Sequence, residues 1–314
     1  MAGSHGTKAI NAAFFANLGI AVSKFTAFLF TGSSSMLAEA IHSVADTGNQ
    51  ALLLLGGRLA GRDPTDRFEF GFGRERYFWS FVVALVLFSV GSLFAIYEGI
   101  AKIADPHEIE SAAWAFGVLG VAIALETLSF RTAIAESRPL KGDGSWWQFI
   151  RTSRTPELPV VLLEDLGALV GLTLALAAIT VAVVADAPVW DGIGTLSIGV
   201  LLGAIAVILA VEMKGLLIGE SARPLDRDAI VGAIESAPDV VHLIHLRTQH
   251  IGPEELLVGA KVSFDPGLST AQLARAIDDV ERRVRAVVPH ARPMYIEPDL
   301  LRTAIDPGAG IPGG

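Results

Sequence analysis

Four polar residues interrupt the apolar run LAEAIHSVADTGNQALLLLGG at Leu37–Gly57: Glu39, His42, Asp46 and Asn49. Spacings of three, four and three put them on one stripe of a helix. The run is long enough to cross a bilayer. A carboxylate at mid-membrane depth is costly unless it has a partner or a watery cavity. An imidazole and a carboxylate one turn apart make half of a divalent-metal site. Two more carboxylates, Glu164 and Asp165, lie in PELPVVLLEDLGALVGLTLALAA. Adjacent helical residues point about 100° apart. One of the two is therefore expected to face the stripe of His42 and Asp46, and the other to meet a different polar partner or a water path. Pro159 is the expected start of their helix, so neither carboxylate is a simple cap.

The elements that must hold these residues are membrane helices. The 314 residues are 52% hydrophobic and 18% charged, with a mean hydropathy of +0.51, which describes a polytopic membrane protein. There is no cysteine, so a transition-metal site must use His, Asp, Glu, backbone or water. A net charge of −9 speaks against a nucleic-acid partner. No H-E-x-x-H motif and no Gly-rich phosphate loop stands out, so an enzyme is not expected. The first apolar block lacks a basic leader and a small-residue exit, and reads as a retained helix.

Six blocks reach the length of a span: Ile10–Phe30, Met36–Ala60, Tyr77–Ile103, Ala112–Ala135, Pro159–Val184 and Ile193–Met213. The first carries Asn17 and Lys24 on one face, and Thr31–Ser35 should be a tight turn. The loop after the second block holds Arg58, Arg62, Arg67, Arg74 and Arg76. The loop after the fourth holds Arg131, Arg138, Lys141, Arg151 and Arg154. Basic loops mark the cytoplasmic side, so both termini should be cytoplasmic, in a bacterial inner membrane. Ser89, Gly91 and Ser92 suit close helix packing. Glu126 reads as the partner of an arginine or as a proton relay, and Trp146 and Trp147 as interfacial anchors. Asp191 is the expected cap of the sixth helix.

From Gly219 the pattern changes. Asp226–Ala237 reads as a helix, Val240–Gln249 and Leu256–Phe264 as strands, Thr270–Val288 as an amphipathic helix and Pro293–Ile296 as a last strand. Val258, Ala260, Val262 and Phe264 should point inward from the second strand. Leu273, Ile277, Val280, Val284 and Val287 should form the buried face of the second helix. The expected organisation is a six-helix transport domain over 1–218, a soluble α+β domain over 219–303 and a disordered tail over 304–314. A second copy of the small domain would help its core.

Two motifs carry a resemblance to a known family. GSSSMLAEAIHSVADTGNQ at 32–50 resembles the G-S-x-x-x-x-A-E-x-x-H-S-x-x-D-x-x-N signature of the cation diffusion facilitators, the proton-coupled divalent-metal exporters. DPTDRFEFGFGRERYFWS at 63–80 is similar to that family's P-T-x-x-x-P-F-G-x-x-R-x-E segment. The resemblance implies six transmembrane helices followed by a cytosolic ferredoxin-like αββαβ domain, and assembly as a homodimer in the lipid bilayer. It implies a tetrahedral transport site with a His/Asp-x-x-x-Asp pair on the second and fifth helices. His42 and Asp46 fit the first pair. Asp165 fits the second member of the other pair, but its partner position falls on Val161, which cannot bind metal. The Leu-Glu-Asp at 163–165 is similar to a divergent branch that includes mitochondrial zinc carriers of animals. The fourth ligand is then Glu164, Asn49 or water.

The cargo implied is zinc, with manganese or iron(II) as alternatives because the donor set is rich in oxygen. No resident cofactor is implied. Protons compete with metal for the same ligands, and an imidazole titrates close to neutral pH, so metal/proton antiport is expected. By the resemblance, the first, second, fourth and fifth helices would rock against the third and sixth. A regulatory metal site on the small domain would have to use His242, His245 or His250, since Arg275 and Tyr295 stand where the family commonly has His. Strand alternation puts His242 and His250 on one face and His245 on the other. The rival reading is a membrane metal sensor or scaffold that transports nothing.

Overall fold

The structure is a computed structural model that describes residues 4–31, 34–106 and 112–300. Residues 32 and 33 of the expected turn and the whole 304–314 tail lie outside the described residues. Contacts divide the chain into two units, Met1–Ile218 and Gly219–Gly314.

The first unit is helical. Helix α1 runs over Ser4–Thr31 and α2 over Ser34–Ala60. The next helix begins as α3 (Glu75–Val82), passes through a π-helical stretch at Val83–Phe88 and continues as α4 (Ser89–Ala104). Then come α5 (Ala112–Lys141), the short α6 (Trp146–Thr152), α7 (Glu157–Val184) and α8 (Val189–Ile218). Among the described residues four stretches are long and apolar enough to cross a membrane: Glu75–Ala104, Ala115–Lys141, Glu157–Val184 and Val189–Ile218. The expectation of six spans is thus met at four; α1 and α2 have 28 and 27 residues. The core of the unit gathers Leu53 of α2, Val83 of the π stretch, Leu158 and Val161 of α7 and Leu209 of α8.

Small residues bring α4 and α8 together. The Ser92 hydroxyl donates to the Gly199 carbonyl at 2.7 Å. A Cβ on Gly199 would lie 2.7 Å from the Ile96 nitrogen, and one on Gly99 would lie 2.5 Å from the Leu196 nitrogen. Only glycine permits backbones to come this close.

Three local expectations are corrected here. Asp191 does not precede its helix: it sits in the first turn of α8 and accepts from the Lys102 ammonium of α4 at 2.9 Å. Pro159 is not the first residue of α7, which starts at Glu157 after Pro156. A first-turn proline is tolerated because the N–H it lacks has no helical acceptor there. The stretch between α5 and α7 is not wholly loop. Ser145 caps α6 by accepting from the Gln148 backbone N–H at 3.1 Å, and Phe149 is buried while Trp146 and Trp147 are exposed. The Lys141 ammonium lies 5.3 Å from the centre of the Trp146 ring.

The second unit has the order αββαβ: α9 (Pro224–Glu235), β1 (Val240–Gly252), β2 (Glu255–Phe264), α10 (Thr270–Val287) and β3 (Ala291–Pro298). The sheet order is β1-β2-β3. β2 is antiparallel to β1 and parallel to β3, with α10 as the crossover between them. Val258, Ala260, Val262 and Phe264 are all buried against Val280 and Val284 of α10 and Ile230 of α9. Ser269 and Gln272 form a capping box at the start of α10. Val287 is exposed, contrary to expectation, and Ala276 and Val288 are buried instead. On the β2 side Lys261 reaches Glu297 at 3.0 Å and Asp299 at 3.4 Å. Hydrogen bonds to these carboxylates hold its ammonium above the usual lysine range. Ile230 is fully buried, so Ile230→Ala should cost this unit about 2–5 kcal/mol. Faster hydrogen–deuterium exchange of the β2 amides in the full chain is the measurement.

The histidines of β1 do not alternate as expected. Register shifts fall between Val240 and His242, between Leu243 and His245, and between His250 and Gly252. Each shift resets the face that later residues present. His242 and His245 are both exposed, while His250 is buried. His250 instead stacks on His290, with ring centroids 6.1 Å apart.

Candidate metal site in the transmembrane unit

The site is built where α2 passes α7. Asn49 and Gln50 follow one another on α2, and both are buried. Each donates a side-chain amide N–H to the same oxygen of Glu164, Oε1, at 2.9 Å from Asn49 and 3.0 Å from Gln50. The Gln50 carbonyl in turn accepts from the Asn17 amide of α1 at 3.4 Å. Three helices are thereby tied to one carboxylate. Asn49 Oδ1 is buried and has no hydrogen-bond partner among the described residues.

Asp165 also has a partner on α5. Its Oδ2 accepts from the Ser129 hydroxyl of α5 at 2.9 Å, and the residue is only 2% exposed. The 100° step along α7 sends Glu164 to α2 and Asp165 to α5.

His42 and Asp46 lie on α2, seven and three residues before Asn49. By helical period their backbone positions share the face of α2 that carries Asn49. The side chains of Lys24, Glu39, His42 and Asp46 are outside the described residues. Among the described residues, no three His, Asp or Glu side chains gather closely enough to hold a metal ion. That includes His242, His245 and His250.

Two helical turns before Glu164, Glu157 receives both the Nε and the Nη2 of Arg76 from α3, the latter at 2.9 Å. Glu157 is 2% exposed. Every residue from Glu157 to Asp165 is buried, and exposure begins at Leu166. The end of α7 that follows the basic loop is therefore covered on all sides.

Gln50, Ser129 and the Arg76–Glu157 pair were not singled out by the sequence. Gln50 follows Asp46 by four residues and shares its stripe, but it carries an amide rather than an ordinary metal ligand, and Ser129 looks like an ordinary packing residue. Arg76 counted only as one of several loop arginines.

Residues 10–218 match the model of the cation efflux transmembrane domain. The chain belongs to the cation efflux family. Among the relatives of this cation efflux chain is the mitochondrial proton-coupled zinc antiporter SLC30A9 of Xenopus laevis, 34% identical over 268 residues, which cover 84% of this chain and 48% of that protein. The metal tolerance protein C4 of Arabidopsis thaliana is 29% identical over 83% of this chain and 58% of its own length. The magnetosome protein MamB of a Magnetospira strain is 26% identical over 93% of this chain and 94% of its own length. The chain spans about half the length of the SLC30A9 relatives it matches.

Proposed function

We propose that this chain is a divalent-metal carrier that exports zinc in exchange for protons by alternating access. The observation that carries the reading is Glu164: a buried carboxylate within a membrane-length helix, bound through Asn49 to the face of α2 on which His42 and Asp46 stand. A charge in such a place is functional by default.

In this reading His42, Asp46 and Glu164 bind the cargo, with Asp165 or Asn49 Oδ1 completing the set. One imidazole nitrogen with carboxylate oxygens suits tetrahedral zinc. Manganese and iron(II) accept the same donors with more oxygens, and they are the alternatives. Zinc ranks first because relatives 29–34% identical to this chain are named zinc antiporters. Metal binds the deprotonated ligands, so cytosolic loading releases protons, and reprotonation on the more acidic side expels the ion. The Met1–Ile218 unit moves the cargo, with α1, α2, α5 and α7 rocking against the α3–α4 helix and α8. The second unit pairs two chains into a homodimer. The termini are cytoplasmic, at a bacterial inner membrane.

The test is uptake of zinc, manganese and iron(II) by proteoliposomes with and without a pH gradient. Gradient-dependent zinc uptake that is lost in Asp46→Ala is the expected result. Uptake indifferent to the gradient would remove antiport. Metal binding without flux would make the protein a sensor.

A further inference from the structure

We propose that the corner between α5 and α7 is a binding surface for anionic phospholipid headgroups. The inference stands on the membrane spans and is independent of the metal reading. α7 has 28 residues, and the spanning stretch of α5, Ala115–Lys141, has 27. At 1.5 Å per residue each rises about 40 Å. A bilayer with its headgroup layers included is about 40–45 Å thick. Lys141 and Glu157 therefore stand at headgroup level on one side of the membrane, and α6 lies between them in that layer.

The corner carries the chemistry that such a layer selects. Phe149 belongs to the core of the unit and Ile150 packs against it, which fastens α6 to the helices. Trp147 and Arg151 are exposed. They lie four residues apart on α6 and so share one face. An indole favours the boundary between acyl chains and headgroups. The Arg151 guanidinium has five N–H donors. One goes to Glu212 at 3.3 Å, and 60% of the side chain stays exposed. Its planar fork matches a phosphate. Lys141 folds the corner: its ammonium donates to the Gly142 and Gly144 carbonyls and lies over the Trp146 ring. Trp146 meets the buried Phe149 edge-on, with ring centroids 6.2 Å apart. Arg138, in the last turn of α5, is exposed as well. Positions 131 to 156 hold five basic and two acidic residues, in a chain of net charge −9. A zwitterionic lipid would satisfy the indoles alone. The local positive excess favours an anionic one, by about fivefold in binding for each Lys or Arg near the surface.

The experiment reconstitutes the full chain in phosphatidylcholine vesicles. They carry a small and equal fraction of either brominated phosphatidylglycerol or brominated phosphatidylcholine, and bromine quenches the tryptophan it touches. Phosphatidylglycerol should quench more strongly than phosphatidylcholine. Trp146→Phe with Trp147→Phe should remove that excess, and Arg138→Gln with Arg151→Gln should remove most of it. Arg62→Gln with Arg67→Gln, in the exposed loop before α3, should keep it. Equal quenching by the two lipids in wild type overturns the proposal. An excess that survives loss of Arg138 and Arg151, or of the two tryptophans, also overturns it. So does an excess lost equally in the Arg62 and Arg67 variant, which would make it a general charge effect. If neither lipid reaches these tryptophans, protein covers the corner and the proposal fails. Should the Arg138 and Arg151 variant not reconstitute, salt takes its place. At about 1 M, where charges are screened within about 3 Å, the wild-type excess should shrink severalfold, and an excess indifferent to salt overturns the proposal.

Discussion

Arg76→Ala is expected to destabilise the transmembrane unit by about 3–5 kcal/mol. Its partner Glu157 is 2% exposed and takes two N–H groups from the guanidinium. Removing the arginine strands a buried carboxylate, which costs more than the pair itself contributes. At a few degrees per kcal/mol for a unit of this size, the melting temperature in detergent should fall by about 6–20 °C. Arg76→Met combined with Glu157→Leu should recover most of that loss, because a well-packed apolar pair can replace a buried ion pair. Arg76→Lys should recover less, since an ammonium cannot reproduce the two parallel bonds. If the double variant melts as low as Arg76→Ala, the stranded charge is not the cause.

Glu164→Gln should abolish transport while leaving the fold nearly intact. Glutamine keeps a carbonyl oxygen to accept from Asn49 and Gln50, so α2 and α7 stay joined. The charge is gone, however, and with it a metal ligand. Altering only a partner of a ligand costs about 10- to 100-fold. Losing a ligand should cost at least the upper end, about 100-fold in flux. Glu164→Leu adds a second effect: two buried amide groups lose their acceptor, at about 1–3 kcal/mol each. The two variants together separate chemistry from stability, read as flux and as melting temperature. Equal melting temperatures for the two would mean that the amide contacts hold little of the fold. Glu164→Gln with wild-type flux would remove Glu164 from the metal site.

The fold was legible where one physical signal dominated. Runs of more than twenty apolar residues mark the helices from Glu75 to Ile218, and strict alternation marks β2, whose Val258, Ala260 and Val262 are buried. The signal fails where backbone geometry departs from its ideal period. The register shifts in β1 put His242 and His245 on the exposed side together, and period counting has no means to see a bulge. The π-helical stretch at Val83–Phe88 is hidden for the same reason. α6 had a local sign that went unread: Ser145 followed three residues later by Gln148 is a capping pattern. In the site, the divergence of Glu164 and Asp165 follows from the helix step alone. The partners do not, because Gln50, Ser129 and Arg76 acquire meaning only when α1, α2, α3, α5 and α7 are laid side by side.

The covering of α7 from Glu157 to Asp165 has an electrical consequence. An ion passing along this face of α7 would run two turns of helix, roughly 10 Å, beside residues that are all buried. Stripping a bare charge into such a medium has an idealised cost on the order of 20 kcal/mol. That face of α7 is a poor path for a charge.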